Sequence, residues 1–491
     1  QWTFIPTLFG HVVDAAARVK AFGLPAWNKL DTCPCPLCYC KTHRRRGRTV
    51  FHNTRSRCRT VQSCYEDASR GRNGMQELTE ASTFSPPPDG LYDCLHVEYL
   101  GVLRELTKAL LNLKGSSLLS RLPVAKGTAS FCTAAFDSLR SPSQFMRPIV
   151  NPATVHGRSP AGVEWFSAFA VIAPIASLHG CYTKSICSLV VFLLTFKSRV
   201  EHHCRLKKDY LSLYDRTCRV VRSLWHLAVG KEAITMKTHE LLHHSQSLQK
   251  ECGSAPYTST TSFESISRIL KAPGNMTKQT THLHKRALRM QMMLGVAAER
   301  YSETHSELLA EAICVVTGTA HVKVEHEEPV QKVQEAEDEL RAKGVYYDTI
   351  RLSKWINGML LKSAVIDQDA STNNHLIYYE HEETHRFGHI LAFDDTHSSP
   401  SVFVKPLITS TVAFPFASQL LDCTDLNNRS CSYVTSIVQE IIDTNQVKVV
   451  KGLSSNTVHT ISSVNIIAFG VQVDFGGTLF VTLSPFSVSH V

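Results

Sequence analysis

A chain of 491 residues, 43% of them apolar, is long enough for several domains with proper cores, which excludes a small disulfide-framed module or a disordered tail. The net charge of +9 is modest for this length, so the distribution of charge says more about partners than its total. The most apolar region, Val163 to Phe196, is broken by Glu164, His179 and Lys184, and its longest clean run is too short to cross a bilayer. A buried helix, and no membrane partner, is the expectation there.

The 16 cysteines are scattered through the chain and do not frame a small unit, which fits a reducing compartment with a few metal-binding thiols. The chain opens at Gln1, with no initiator Met, and reads as a fragment. Residues 1–112 are Cys-rich and basic. Residues 113–250 read as mostly helical, with 3.6-period segments at Asp209–Val229 and Thr235–Gln249. Residues 251–320 combine turns with helices at Lys285–Ala297 and Arg300–Val316. A charged connector, residues 321–344, reads as an exposed helix or linker, with seven acids between Glu325 and Glu339. From Val345 to Val491 the texture turns to alternating and β-branched runs: Leu376–Tyr379, His389–Phe393, Val402–Val404, Val447–Val450, Val464–Val473 and Thr478–Leu483. These predict a small antiparallel sheet or barrel. A glycine loop that would cradle phosphates is missing, which disfavours P-loop hydrolysis.

Four thiols fall within eight residues at Cys33, Cys35, Cys38 and Cys40. Cys35 and Cys38 have the spacing of a zinc knuckle, in which two thiolates on a tight turn fill two tetrahedral positions. Cys40, His43, Cys58 and Cys64 are nearby candidates for the other two. His239 and His243 are distant ones, an i,i+4 pair that shares one helix face. The same helix matches H-E-x-x-H, with Glu240 as a base and Glu264 as a third ligand of a zinc protease, a pattern short enough to arise by chance. Lys41–Arg59 carries eight Lys or Arg and no acid. Arg44, Arg45, Arg46, Arg48, Arg57 and Arg59 are therefore candidate phosphate contacts, or part of a nuclear address. Arg205–Lys208 and Lys285–Arg289 are further basic stretches.

Among the carboxylates, Asp14 reads as an N-cap before an alanine-rich helix, and Glu264 reads as part of a capping box. Asp93, with His96 three residues on, opens an amphipathic run that continues through Leu100-Gly101-Val102. Three separated carboxylates are also what a two-metal nucleotidyl-transfer site requires, because hard oxygen ligands hold Mg²⁺ or Mn²⁺.

The order of these phrases resembles that of CACTA-type (En/Spm, Tnp2-like) transposases and transposon-derived relatives. An Asp14 phrase, a CxxC, a basic region, Asp93-x-x-His96 with its LGV continuation, paired helix histidines and Ser262-Phe263-Glu264 follow one another over roughly residues 4–290. The resemblance implies an α/β, RNase H-like core interrupted by an all-helical insertion, with the β-rich domain after it. It implies an acidic triad of Asp14, Asp93 and Glu264 for catalytic Mg²⁺ or Mn²⁺, with His96 beside it and Glu164 as a rival third acid. It also implies a structural Zn²⁺ on Cys35, Cys38, His239 and His243. The function implied is DNA strand cleavage and transfer in the nucleus, by a protein that can act as a homo-oligomer and takes no small-molecule substrate. A domesticated or decayed relative would keep the zinc and the DNA contacts without catalysis.

Overall fold

The computed structural model describes residues 11–13, 22–77 without 46 and 52–55, 90–141 without 115–117 and 119–121, 149–195 without 156–158, 208–245 without 231–233, 328–411 without 357–358, 368–372 and 395–400, and 448–487 without 455–456 and 476. In chain order the N-terminal part holds β1 (His11–Val13), β2 (Thr42–Arg45), β3 (Arg48–Phe51), α1 (Val61–Ser69) and β4 (Gly90–Tyr92). A π-helix, Leu95–Leu103, then runs directly into α2 (Arg104–Leu110). There follow α3 (Thr128–Asp137), β5 (Leu139–Arg140), α4 (Gly162–Leu178), α5 (Lys184–Thr195), α6 (Lys208–Ala228) and α7 (Met236–His243). The C-terminal part begins with α8 (Val330–Ala342), β6 (Ile350–Arg351), β7 (Ser353–Ile356) and β8 (Met359–Lys362). It continues through β9 (Leu376–His381), β10 (Thr384–Asp394), β11 (Ser401–Thr411), β12 (Lys448–Leu453), β13 (His459–Ser462), β14 (Ile466–Phe475) and β15 (Thr478–Ser487).

The alternating runs close on themselves. Strand β9 pairs with β10, β10 with β11, β11 with β12, β12 with β15, β15 with β14, and β14 with β9, all antiparallel. This six-stranded ring is a barrel, with β5, β6 and β13 as flanking strands. Closure removes the edges that an open sheet would expose. Ile377, Tyr379, Ile390, Phe393, Val404 and Phe469 belong to one of its buried clusters. Tight coiling depends on glycine at Gly470, where a Cβ would meet Leu376 Cγ at 2.5 Å. The charged connector is partly a packed helix: on α8, Ala336 and Leu340 are buried against Ile350, Leu352 and Phe403, and Glu339 accepts from Lys405 Nζ at 2.6 Å.

The expected RNase H-like α/β core is not what this chain forms. Among the described residues β1 and β4 make a short parallel pair that no third strand joins, and the large sheet is the antiparallel barrel. A central strand of a covered mixed sheet needs a continuous apolar run. The described residues between β1 and β4 are instead spent on Cys-rich turns, a two-stranded hairpin and the nine-residue α1. Nor are the helices a separate insertion. The π-helix and α2 to α7 share one core that also takes in Val471 and Val473 of β14, and β5 pairs with that same strand.

Candidate metal centre

The Cys33–Cys40 loop is held from inside by an arginine. Arg59 donates from Nε to the Cys35 carbonyl at 2.9 Å and from Nη2 to the Cys33 carbonyl at 2.7 Å, and its Nη1 faces Asp67 at 3.5 Å. Its guanidinium also lies 4.4 Å from the centre of the Tyr39 ring. A planar fork of five donors suits such a strut, since it bonds several carbonyls at fixed angles. With its side chain fully buried, Arg59 is not a phosphate contact, which corrects the expectation from the basic run.

Helix α7 faces this loop. Thr235 caps it by accepting from Thr238 N at 3.3 Å, and the helix ends at His243, with His244 at its C-cap (φ −120°, ψ −18°). That change of backbone turns the periodicity. His239 Nε2 lies 3.3 Å from Cys38 Sγ, His244 Nε2 lies 3.4 Å from Cys35 Sγ, and the two Nε2 atoms are 3.2 Å apart. The four ligand atoms lie within 4.8 Å of one another, and all four residues are buried. A tetrahedral ion with bonds of about 2.3 Å to sulfur and about 2.0–2.1 Å to nitrogen needs ligand separations of about 3.3–3.8 Å. The donors therefore fit a metal ion.

His244, not His243, completes the set. His243 stacks on His239 from outside, with centroids 5.0 Å apart, and burial pushes its imidazole down to about 4. Burial likewise lowers His239 and raises the Cys35 thiol, so both side chains are neutral without an ion. Neutral imidazole is the ligand form, whereas the thiols must release protons as an ion binds. Four protein ligands would close a tetrahedron with no open position for a substrate or a water, an arrangement compatible with a structural ion. The H-E-x-x-H protease reading fails on the same geometry: only one of its histidines is in the set, and two thiols and His244 fill the remaining places.

The centre is joined to the basic hairpin. In β3, Phe51 donates its N–H to the Ile234 carbonyl at 2.9 Å, and its ring stacks on His239 with centroids 5.0 Å apart. Arg44, Arg45 and Arg48 of the same β2–β3 hairpin are exposed, as are Arg57 and Cys58. Arg46 lies outside the described residues.

Asp93 follows β4 directly and is fully buried. Its Oδ1 accepts from Leu95 N at 3.0 Å, its Oδ2 contacts His96 Nδ1, and its carbonyl accepts from Val97 N. Asp14 and Glu264, the other two acids of the expected triad, lie outside the described residues. Among the described residues Asp93 is thus the one triad carboxylate, and these residues do not by themselves make a Mg²⁺ or Mn²⁺ site. The rival acid Glu164 is spent on a helix end, accepting from Ala161 N at 2.6 Å at the start of α4. The π-helix beyond Asp93 packs closely on α7: a Cβ at Gly101 would stand 2.6 Å from Lys237 Cδ. That close approach explains the glycine of the Leu100-Gly101-Val102 phrase.

Sequence reasoning missed three residues of this site. His244 sits at i,i+5 from His239, outside helical periodicity, and only its adjacency to His243 hinted at it. Phe51 and Arg59 were hidden in a run that reads as basic and exposed. Comparison with protein-family models, curated proteins and solved structures finds no match.

Proposed function

We propose that this chain is a DNA-handling protein of the transposase type, in which a structural zinc holds an arginine-bearing hairpin in place against the phosphate backbone. The observation that carries the reading is that the metal set and the hairpin form one unit: the ring that stacks on His239 belongs to the strand that carries Arg48. Zinc bound to Cys35, Cys38, His239 and His244 would supply a four-coordinate cross-link between the Cys-rich loop and α7. Fixing the hairpin before binding lowers the entropy lost when arginines settle on phosphates. Contacts of this kind position a duplex without reading its sequence. The nucleus is the compartment that such work implies.

The test is DNA binding followed by fluorescence anisotropy across a salt series. The triple variant R44A/R45A/R48A is expected to lower the slope of log K against log salt by about 2–3, since each phosphate contact contributes about 0.9. An unchanged slope, or no salt-dependent binding by the parent chain, overturns the reading.

Strand cleavage by the chain itself is a second reading, favoured by one feature. Strands β1 and β4 pair in parallel with Val13 opposite Tyr92, and the next residue in the sequence after each strand is an aspartate, Asp14 and Asp93. Asp93 is the described member of that pair, and hard carboxylate oxygens are what such a cation takes. Magnesium or manganese bound there would supply activation of the attacking hydroxyl and charge stabilisation at phosphorus. Mg²⁺-dependent nicking of a DNA duplex that is lost in Asp93→Asn and in Asp14→Asn supports it. Nicking retained in either variant, or absent from the parent chain, sinks it.

A further inference from the structure

We infer that the cleft between the π-helix, α7 and Trp27 is a binding site for a single nucleobase with its phosphate. This deepens the DNA-handling reading and rests on it for the source of the nucleotide. The cleft has a volume of about 260 Å³ and is lined by Trp27, Val102, Arg104, Glu105, Trp225 and Lys237 among others. An apolar cavity of about 150 Å³ is enough for benzene, and pockets for drug-sized ligands begin near 300 Å³. The occupant is therefore one fused ring system with a small polar appendage.

The lining restricts its chemistry. Trp225 is 1% exposed and its indole N–H has no partner among the described residues. Arg104 Nε is likewise buried without a hydrogen bond, although Glu105 Oε1 stands 3.4 Å from it as an ionic neighbour. Buried N–H donors of this kind are unfavourable unless something accepts from them. A cationic guest meets Arg104 and Lys237. A nucleobase carries ring nitrogens or carbonyl oxygens that accept, and a phosphate suits the two cations. At the mouth, Trp27 is 50% exposed, a large indole left in solvent where a base can stack on it.

The test uses the full chain and a purine nucleoside monophosphate, titrated while tryptophan fluorescence is followed. Saturable quenching is expected, with binding weakened about tenfold or more in Trp27→Ala, because stacking on an aromatic ring is a large part of single-base affinity. Arg104→Ala should weaken the monophosphate more than the uncharged nucleoside. Trp27 and Arg104 are at least partly exposed, so neither change threatens folding, and circular dichroism checks that. Three results overturn the proposal: no saturable binding, indole or benzene binding as tightly as the nucleotide, or Trp27→Ala binding like the parent. The outcomes separate from those of the DNA-handling reading. Mononucleotide binding without salt-dependent duplex binding removes the hairpin proposal alone, and duplex binding without mononucleotide binding removes the cleft alone.

Discussion

In the barrel, every pairing of the ring is between strands of the same sheet, and Leu376, Tyr378, Phe387, Leu407, Ala468 and Val481 form a buried cluster drawn from its strands. In the Cys33–Arg59 region the described regular structure amounts to one four-residue hairpin pair, and the loop is held by Arg59 and by four ligand atoms gathered from two distant parts of the chain. The barrel derives its stability from apolar burial and a closed hydrogen-bond ladder, which act in any aqueous buffer. The Cys-rich region buries a small cluster of Cys35, Cys38, Cys40 and Phe51 against Ile234 and Met236, and an ion on its thiols and the two histidines would add a cross-link. Two regions of one molecule are thus exposed to different ways of failing.

The largest separation between them should come from the metal. Chelation, or Cys35→Ser or His244→Ala, is expected to remove a stoichiometric zinc and to open residues 33–59 and 236–244 to hydrogen exchange, with barrel amides unchanged. The effect on that region can reach the order of 10 kcal/mol, the scale of structural zinc sites. His243→Ala should keep the metal. Loss of zinc in His243→Ala, or its retention in His244→Ala, would break the assignment.

Next in size is the strut. Arg59→Ala removes the donor to the Cys33 and Cys35 carbonyls and the cation that faces Asp67, and breaking a buried charged network costs about 3–5 kcal/mol. Exposed Arg48→Ala should change stability by less than about 0.5 kcal/mol. Urea unfolding monitored at Trp27 and by zinc release compares the two. Equal effects would mean that the strut does not hold the loop.

The smallest test lies in the barrel, at His389, where burial pushes the imidazole down to about 3 and His375 and Lys405 add repulsion. An unfolded histidine takes up its proton near pH 6.5. Between that pH and about 3 the unfolded chain binds more protons than the folded one, so barrel stability is full above pH 6.5 and falls as the pH drops through this window. His389→Asn should flatten the fall between pH 6.5 and 4 in a zinc-free preparation. An unchanged slope would assign the acid sensitivity to other groups.

Much of this was legible. The runs Leu376–Tyr379, His389–Phe393, Val402–Val404 and Thr478–Leu483 lie within barrel strands, Val464–Val473 starts two residues before β14, and Asp209–Val229 lies within one residue of α6 at each end, because side-chain period follows backbone geometry directly. The Cys35 and Cys38 spacing marked half of a tetrahedral site, since two thiolates on one tight turn need only local backbone. The expectations about Asp14, Glu264 and Arg46 fall outside the described residues. The RNase H-like core was carried by the order of short phrases, and order along a chain does not determine which strands pair.

What the sequence determined by itself is therefore local: where strands and helices run, which turn carries thiols, and which helix carries histidines. Tertiary structure decided the rest. The helix ends at His243, so the backbone at its cap swings His244 toward Cys35, and no periodicity within α7 contains that turn. Arg59 is chemically like Arg48, and only the carbonyls that the Cys33–Cys35 loop presents to it make one a buried strut and leave the other exposed on the hairpin. The six strands close into a barrel because β14 meets β9 across nearly ninety residues of chain, a contact whose partner lies beyond the reach of any local pattern.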